Sequence, residues 1–161
     1  MRWIWIDRFA EFEPGQRAVA VKNVTLAEEH VHDPCPARPR LPASLMIEGM
    51  AQTAGILVGQ ARGFREKVIL AKIQRARFER SVEAGEQLRY EARIEQVDDA
   101  AAITSGTVWS GPERIGQVDL VFSHADQNMR GLKLPEENFV FGEQFMSLFD
   151  GFMAGQEARG G

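Results

Sequence analysis

Residues 42–60 constrain the fold more than any other part of the 161-residue chain. Large apolar side chains cover nearly the whole circumference of a helix built from this segment, with small residues between them. The large ones are Leu45, Met46, Ile47, Met50, Ile56, Leu57 and Val58, and the small ones are Gly49, Ala51, Ala54, Gly55 and Gly59. A helix that is apolar all round is buried, and small residues allow another element to approach it closely. The segment therefore predicts a central helix wrapped by a sheet.

Two strand patterns precede this helix. Residues 3–6 are apolar on both faces, which predicts a buried strand, and residues 17–25 are small or β-branched, which predicts the returning strand of a hairpin. Pro14 and Gly15 suit the two central positions of the turn between them. Residues 28–42 contain four prolines, Pro34, Pro36, Pro39 and Pro42. Prolines oppose a helix and a central strand, so we expect a stiff extended loop there.

Further strand patterns follow the helix. They cover residues 68–73, 76–78, 87–95, 101–109 and 114–123. Turn signals at residues 83–86 and 110–113 separate several of them. Two strands, one long helix and then about four strands predict an α+β fold, with one antiparallel sheet and one helix segregated to one face. We place this domain at residues 1–125.

Residues 126–161 form a C-terminal extension of different composition. Five of the ten phenylalanines lie within residues 139–152. Phe145, Phe149, Phe152 and Met153 fall at helical spacing, which predicts an amphipathic helix over residues 142–154. Two interpretations stay open: the helix packs on its own domain or on a partner subunit, or its phenylalanines roof an apolar ligand tunnel.

Composition excludes several classes of protein. Hydrophobic residues make up 44% of the chain and charged residues 26%, which excludes wholesale disorder. The net charge of −4 gives no basic footprint for nucleic acid. A single cysteine, Cys35, fits a reducing compartment, and Asp7 and Arg8 come too early for a secretory signal. We expect a cytoplasmic protein with no membrane and no nucleic-acid partner.

Glu48 and Gln52 are the polar residues of the predicted helix that invite a chemical role. They stand one turn apart and share a face. Burying a carboxyl group is costly unless it is hydrogen-bonded, protonated or facing a wet cleft. Two interpretations follow: Glu48 is a general acid in a cleft, or it pairs with an arginine of the surrounding sheet.

The start of the helix is the second candidate site. Pro42 suits the first helical position, which makes Leu41 the cap, and leucine has no acceptor side chain. Uncapped N–H groups can receive a carbonyl oxygen that gains negative charge in a reaction, unless water or a loop satisfies them. The Ser44 hydroxyl can add a donor. We place substrate-binding groups at Ala43, Ser44 and Gln52.

Chemically active side chains also crowd the loop before the helix, at His30, His32, Asp33 and Cys35. Their spacing matches no common zinc pattern, and a cysteine between two prolines is usually just packed. A histidine base opposite Glu48 is the best functional interpretation, and a solvated loop histidine is the alternative. We expect no metal and no cofactor. We interpret the third histidine, His124, as structural.

Positive charge is concentrated in residues 62–80. Seven lysines and arginines stand there against two glutamates. Such a patch suits an acidic partner or a phosphate group, and a solvated charged face is the alternative. We place the docking residues at Lys72, Arg75 and Arg77.

Several segments resemble the hotdog-fold 3-hydroxyacyl-[acyl-carrier-protein] dehydratases of type II fatty acid synthesis. The resemblance rests on residues 5–8, 13–25 and 45–55, with weaker support from residues 76–78 and 82–88. It covers roughly residues 3–124, and its most specific part is the Glu-x-x-x-Gln motif of the helix. It implies a hotdog dimer whose acyl tunnel is lined by a loop histidine and a helix glutamate from opposite subunits. It also implies an acyl carrier protein as partner, and removal of water from a 3-hydroxyacyl thioester to give the trans-2-enoyl product.

Glu48 takes the place of the family glutamate, but the histidine loop departs from the family pattern His-Phe-Pro-Gly-x-Pro-x-x-Pro-Gly. Without gaps, Pro34 stands at the histidine, and Ala37 and Ala43 replace the two glycines. A shift of two residues brings His32 into place, so we take His32 and Glu48 as the catalytic pair. Without a base, the chain is an acyl-thioester-binding or partner subunit, or a thioesterase in which Glu48 activates water.

Overall fold

A six-stranded antiparallel sheet packs against one long helix in the computed structural model of this chain. The structure describes residues 3–32, 37–125, 138 and 140–160, with side chains up to residue 155. The elements are β1 (Arg8–Glu13), β2 (Arg17–Asn23), α1 (Glu29–His32), β3 (Arg40–Leu41), α2 (Ala43–Ala61), β4 (Val68–Phe78), β5 (Val82–Glu83), β6 (Gln87–Val97), β7 (Ala101–Ser110), β8 (Glu113–His124) and α3 (Glu143–Gly160). The main sheet has the order β1-β2-β6-β7-β8-β4, while β3 and β5 form a separate pair. The predicted α+β class is confirmed.

Close packing between α2 and the sheet depends on glycines, as the pattern of small residues predicted. A Cβ atom at Gly49 of α2 would overlap the ring of the fully buried Tyr90 on β6. A Cβ atom at Gly106 of β7 would overlap the thioether of Met50 on α2. The helix contacts β2, β4, β6, β7 and β8 and is therefore the centre of the core.

The predicted strand at residues 3–6 is wrong, although Trp5 and Ile6 are buried as expected. The first strand of the hairpin, β1, begins later in the chain. The backbone of residues 3–5 instead forms hydrogen bonds with a side chain of α2. Trp5 N–H donates to Gln52 Oε1 at 2.7 Å, and Gln52 Nε2 donates to the Trp3 carbonyl at 3.0 Å. Pairing with β2 begins only where Asp7 N–H donates to the backbone carbonyl opposite it at 2.8 Å. An apolar run in the sequence predicts burial, but it does not predict which groups form hydrogen bonds with the backbone.

The predicted turns and the strands around them are confirmed, with small changes in bounds. Gly15 has φ +68° and Gly111 has φ +55°, the left-handed conformations that such turns need from glycine. Residues 68–73 and 76–78, predicted as separate strands, form the single strand β4. Two bulges interrupt its pairing with β8, and β4 lies at the edge of the sheet.

The proline-rich loop contains more regular structure than predicted. The one-turn helix α1 ends at His32, before the first proline, so no proline ring opposes it. The short strand β3 pairs with β5 outside the main sheet, where a proline on either side costs no ladder bond. Pro34 and Pro36 lie outside the described residues. Pro42 is the cap of α2 and not its first helical residue; as predicted, α2 has no side-chain cap.

The C-terminal helix is present as α3 and continues beyond the predicted residue 154. Its aromatic stripe packs on its own domain: Phe149 lies 5.3 Å from Phe12 and 5.0 Å from Phe64 between ring centroids, and Phe152 lies 6.0 Å from Phe9. This packing agrees with the first of the two interpretations of the extension, in which the helix packs on its own domain or on a partner subunit. The division of the chain at residue 125 stays a prediction. None of the described helices is long and apolar enough to span a membrane.

The tight turn after β5 is held by the carboxylate of Glu86, and β5 in turn pairs with the strand that leads into α2. Arg80 donates to both carboxylate oxygens at 3.0 and 2.8 Å, Ser110 Oγ donates at 2.6 Å, and the Glu83 N–H donates at 2.8 Å. These bonds, the pair with Arg80 first, lower the pKa of Glu86 to about 2.

We expect the substitution Glu86→Gln to lower the free energy of unfolding at neutral pH by about 1–3 kcal/mol. A folded-state pKa below the ordinary value of 4.5 means that this stability is present above pH 4.5 and is lost as the pH falls towards 2. The difference between variant and natural chain should therefore shrink over that interval in urea titrations. Glu113→Gln is the matched control, because Glu113 also pairs with Arg80 but is 54% exposed. Equal effects of the two substitutions at every pH would contradict this account.

Candidate active site

A pocket of about 150 Å³ lies between α2, the sheet and the segment that leads into α3. Two polar side chains, Glu48 and Gln52, form part of the pocket wall, and the rest of the wall is apolar. The apolar wall consists of Ala51, Gly55, Val68, Leu70, Phe122, Val140 and Phe141. An apolar hollow with a few fixed polar groups is the usual form of a small-molecule site.

Gln52 fixes the position of Glu48. Its Nε2 donates to Glu48 Oε1 at 2.8 Å and to the Trp3 carbonyl at 3.0 Å, while its Oε1 accepts from Trp5 N–H at 2.7 Å. The backbone N–H of Trp5 can only donate, so it sets the orientation of the amide and turns the NH₂ group towards Glu48. Among the residues that the structure describes, none bonds to Glu48 Oε2, which is therefore available to a ligand.

The alternative interpretation of Glu48, an ion pair with an arginine of the sheet, is wrong for the described part of the chain. There the carboxylate has the Gln52 amide as its hydrogen-bond partner, and no lysine or arginine stands within ion-pair distance. Glu48 is partly exposed and Gln52 is 5% exposed. A carboxyl group held by one neutral donor at the wall of an apolar pocket is placed for proton transfer.

The start of α2 lies one turn before Glu48. Ala43 and Ser44 are exposed, and Ser44 shares the helix face of Glu48 because the two are four residues apart. Leu45 N–H donates to the Pro42 carbonyl at 3.0 Å, so the N–H groups of Ala43 and Ser44 are those at the open end of the helix. Ala43 and Ser44 do not line the pocket within one protomer.

None of the three histidines lines this pocket in the single chain. His32 Nε2 is 2.9 Å from the Leu26 carbonyl, which makes Nε2 the protonated nitrogen of the neutral ring and leaves Nδ1 as acceptor. The exposed His30 contacts the rings of Trp3 and Trp5, at 6.3 and 5.9 Å between centroids. His124 is fully buried, with Nδ1 3.0 Å from a carboxylate oxygen of Glu66.

The other two residues of the histidine loop, Asp33 and Cys35, lie outside the described residues. Among the residues that the structure does describe, no three histidine, cysteine, aspartate or glutamate side chains are grouped so that they could hold a metal ion.

Fewer basic residues at positions 62–80 are available to a partner than their number in the sequence suggests. Arg62 pairs with Glu66 at 3.0 Å and with Asp99 at 2.8 Å, and the hydrogen bond from Arg62 lowers the pKa of Glu66. Arg80 is likewise engaged, by Glu86. Neither arginine is free for a partner, which corrects the count of seven available charges.

The remaining docking candidates, Lys72, Arg75 and Arg77, share the outer face of β4. In the antiparallel register with β8, their backbone partners are Val121, Asp119 and Gln117, in that order. These three side chains alternate with buried ones along β8, so they lie on the face of the sheet away from the core. The side chains of Arg75 and Arg77 are 60% and 75% exposed, and each has only a loose carboxylate contact, at 3.5 and 3.3 Å.

Comparison with known proteins places these features in a family. Residues 3–119 match the FabA-like domain. This chain belongs to the FabA-like family. It is 32% identical over 127 residues to the 3-hydroxyacyl-[acyl-carrier-protein] dehydratase FabZ of Clostridium kluyveri, covering 78% of this chain and 88% of the relative. It is 36% identical over 125 residues to the FabZ of Symbiobacterium thermophilum, covering 77% and 88%.

Solved structures support the fold. The dehydratase heterocomplex ApeI:P from Xenorhabdus doucetiae superimposes with a TM-score of 0.62 at 16% identity, over 75% of this chain and 82% of that chain. The resemblance deduced from the sequence and the predicted hotdog fold are both confirmed. Glu48 and Gln52 lie inside the matched region, whereas Val140 and Phe141 lie beyond it.

Sequence reasoning missed two contributions to the site. The tryptophan segment at residues 3–5 is tied to Gln52, and Asn138 holds the chain next to the pocket. A glutamine on the buried face of a helix was the signal for the first, since such an amide needs partners. For the distant bonds of Asn138 the sequence offered no signal, because the carbonyls that accept from its Nδ2 are more than seventy residues away.

We expect Gln52→Leu to lower the unfolding free energy by about 1–3 kcal/mol, because the buried N–H of Trp5 loses its acceptor. Thermal unfolding measures this as a fall of roughly 2–4 °C per kcal/mol for a chain of this size. Gln60→Leu is the matched control: Gln60 also stands on α2 and accepts a backbone N–H, from Gly15 at 3.1 Å, but it lies outside the pocket. Only Gln52→Leu should also impair turnover. An unchanged unfolding temperature for Gln52→Leu would contradict the anchoring role.

Proposed function

We propose that this chain dehydrates 3-hydroxyacyl thioesters to trans-2-enoyl thioesters in the synthesis of fatty acids or related acyl chains. The observation that carries the proposal is the Glu48 carboxyl group, held by Gln52 against an apolar pocket in a member of the FabA-like family. The relatives in Clostridium and Symbiobacterium, named as 3-hydroxyacyl-[acyl-carrier-protein] dehydratases, support the same reaction.

The reaction needs a base at C2 and an acid at the C3 hydroxyl. His32 takes the C2 proton, the C3–O bond breaks, and Glu48 donates a proton to the departing hydroxyl, which leaves as water. Transfer of a proton from His32 back to Glu48, directly or through water, restores both groups. The N–H groups of Ala43 and Ser44 polarise the thioester carbonyl at the start of α2, where the helix dipole favours negative charge.

The proposed pairing of His32 with Glu48 requires a second copy of the chain. His32 does not line the pocket of its own protomer, so a neighbouring copy has to supply it. β4 is an edge strand of 11 residues, and its Leu70 and Ile73 side chains are 37% and 45% exposed. A long, partly apolar edge strand pairs readily with an identical strand. We place the interface of a homodimer, or of a higher oligomer built from it, along this edge.

Activity assays with the full chain test the proposed reaction. We expect reversible hydration of an enoyl thioester, with kcat/KM reduced by roughly 10²–10⁴-fold in Glu48→Gln and in His32→Ala, because each removes one proton-transfer group. Release of free thiol from a saturated acyl thioester would favour a thioesterase. Binding without any turnover would favour a catalytically degenerate subunit. Either result would overturn the proposal, as would full activity in Glu48→Gln.

An acyl carrier protein, encountered in the cytoplasm, is the macromolecular partner that we propose. Lys72, Arg75 and Arg77 present positive charge on the outer face of β4, the strand whose Val68 and Leu70 line the pocket. The dimer uses the hydrogen-bonding edge of β4 and the carrier protein uses its outer face, so the two contacts do not compete.

We expect the double substitution Arg75→Glu and Arg77→Glu to weaken binding of an acidic carrier protein at least tenfold, with a larger loss at low salt, because exposed charges are screened by ions. Titration calorimetry measures the affinity. Each single substitution is compared with the control Arg8→Glu on β1, since this control makes the same charge change as either of them, at the opposite edge of the sheet. Unchanged affinity in the double variant would remove β4 as the docking face.

A further inference from the structure

Two residues beyond the matched family region form part of the pocket wall. Val140 and Phe141 face the same hollow as Glu48. Along α2, Gly55 stands about 10 Å beyond Glu48, and Gly59 follows one turn later. A Cβ atom at Gly59 would overlap the ring of Phe141, so this ring lies directly on the helix at that point. It therefore stands at the end of the pocket farthest from the start of α2.

The Phe141 ring has little freedom to move. It is 5% exposed, and its centroid lies 5.0 Å from that of Phe64 and 5.3 Å from that of Phe145. Phe64 and Phe145 are themselves packed against Phe149 of the same helix. Displacing Phe141 would require the whole aromatic cluster to rearrange, so the wall is rigid compared with a single mobile side chain.

Asn138 fastens this wall to the main domain. Its Nδ2 donates to the carbonyls of Phe64 at 3.0 Å and Glu66 at 3.2 Å, in the segment that follows α2. Its Oδ1 accepts the N–H groups of Val140 and Phe141, each at 3.1 Å. The Asn138 amide thus joins the segment that follows α2 to the segment that carries Phe141.

We propose that Phe141 closes the far end of the acyl pocket and restricts the substrate to short acyl chains, with Asn138 as the positioning residue. This inference rests on the proposed function. A thioester bound at the start of α2, with its reacting carbons beside Glu48, directs its acyl tail along Gly55 towards Phe141. Within one protomer the pocket has a volume of about 150 Å³, which is small for a ligand site and leaves room for few methylene groups.

Turnover of 3-hydroxybutyryl and 3-hydroxydecanoyl thioesters by the full chain tests the wall. We expect the natural chain to favour the butyryl substrate. Phe141→Ala and Asn138→Ala should each raise the decanoyl-to-butyryl ratio of kcat/KM by roughly tenfold or more, the scale of discrimination by an apolar pocket. Phe141→Leu, which removes the ring but keeps an apolar side chain, provides the test if Phe141→Ala does not fold. Phe152→Ala is the matched control, because Phe152 packs on Phe9 and lies outside the pocket.

Binding of butyryl- and decanoyl-coenzyme A, measured by calorimetry, separates this inference from the proposed reaction. If no substrate is turned over, the proposed dehydration fails, but a gain in decanoyl binding in Phe141→Ala still supports the wall. The inference is overturned if both Phe141 variants and Asn138→Ala keep the natural length preference in both measurements. It is also overturned if Phe152→Ala shifts the preference as much as Phe141→Ala.

Discussion

The Gln52 side chain is the interaction on which the rest of the site depends. A single amide, almost wholly buried, satisfies the backbone of the first residues of the chain and holds one oxygen of Glu48. Buried backbone groups need partners, and a carboxyl group at an apolar wall needs a donor, so one side chain answers two separate requirements. The local fold of the N-terminal segment and the position of the reactive group are therefore coupled.

The pocket exists because small and large residues alternate between helix and sheet. Gly49 makes room for the ring of Tyr90, so α2 lies close to β6 at that point. Beside Gly55 the nearest atoms belong to the Phe122 ring, at 3.3 Å from where a Cβ would stand, and that ring forms one side of the hollow. The same pattern of glycines that permits tight packing in one turn of the helix thus leaves a site in another.

The sequence was sufficient to predict whatever depends on local pattern. The central helix, the turn at Gly15 and the shared face of Glu48 and Gln52 all follow from periodicity or backbone preference within a few residues. What it could not supply were partners from distant parts of the chain. The run at residues 3–6 was interpreted as a strand because its Gln52 partner lies 47 residues from Trp5. Arg62 was counted as a free charge although its partner Glu66 is only four residues away; its second partner, Asp99, is 37 residues away and could not be predicted.

The aromatic stripe of α3 has a consequence for where the stable unit of this chain ends. Phe9, Phe12 and Phe64 belong to the matched region, yet rings from beyond residue 140 cover them. A fragment cut at the limit of family similarity would expose these three rings to water, and exposed apolar patches promote self-association. The evolutionary boundary and the folding boundary are thus different, and a shortened form intended for crystallisation should retain α3.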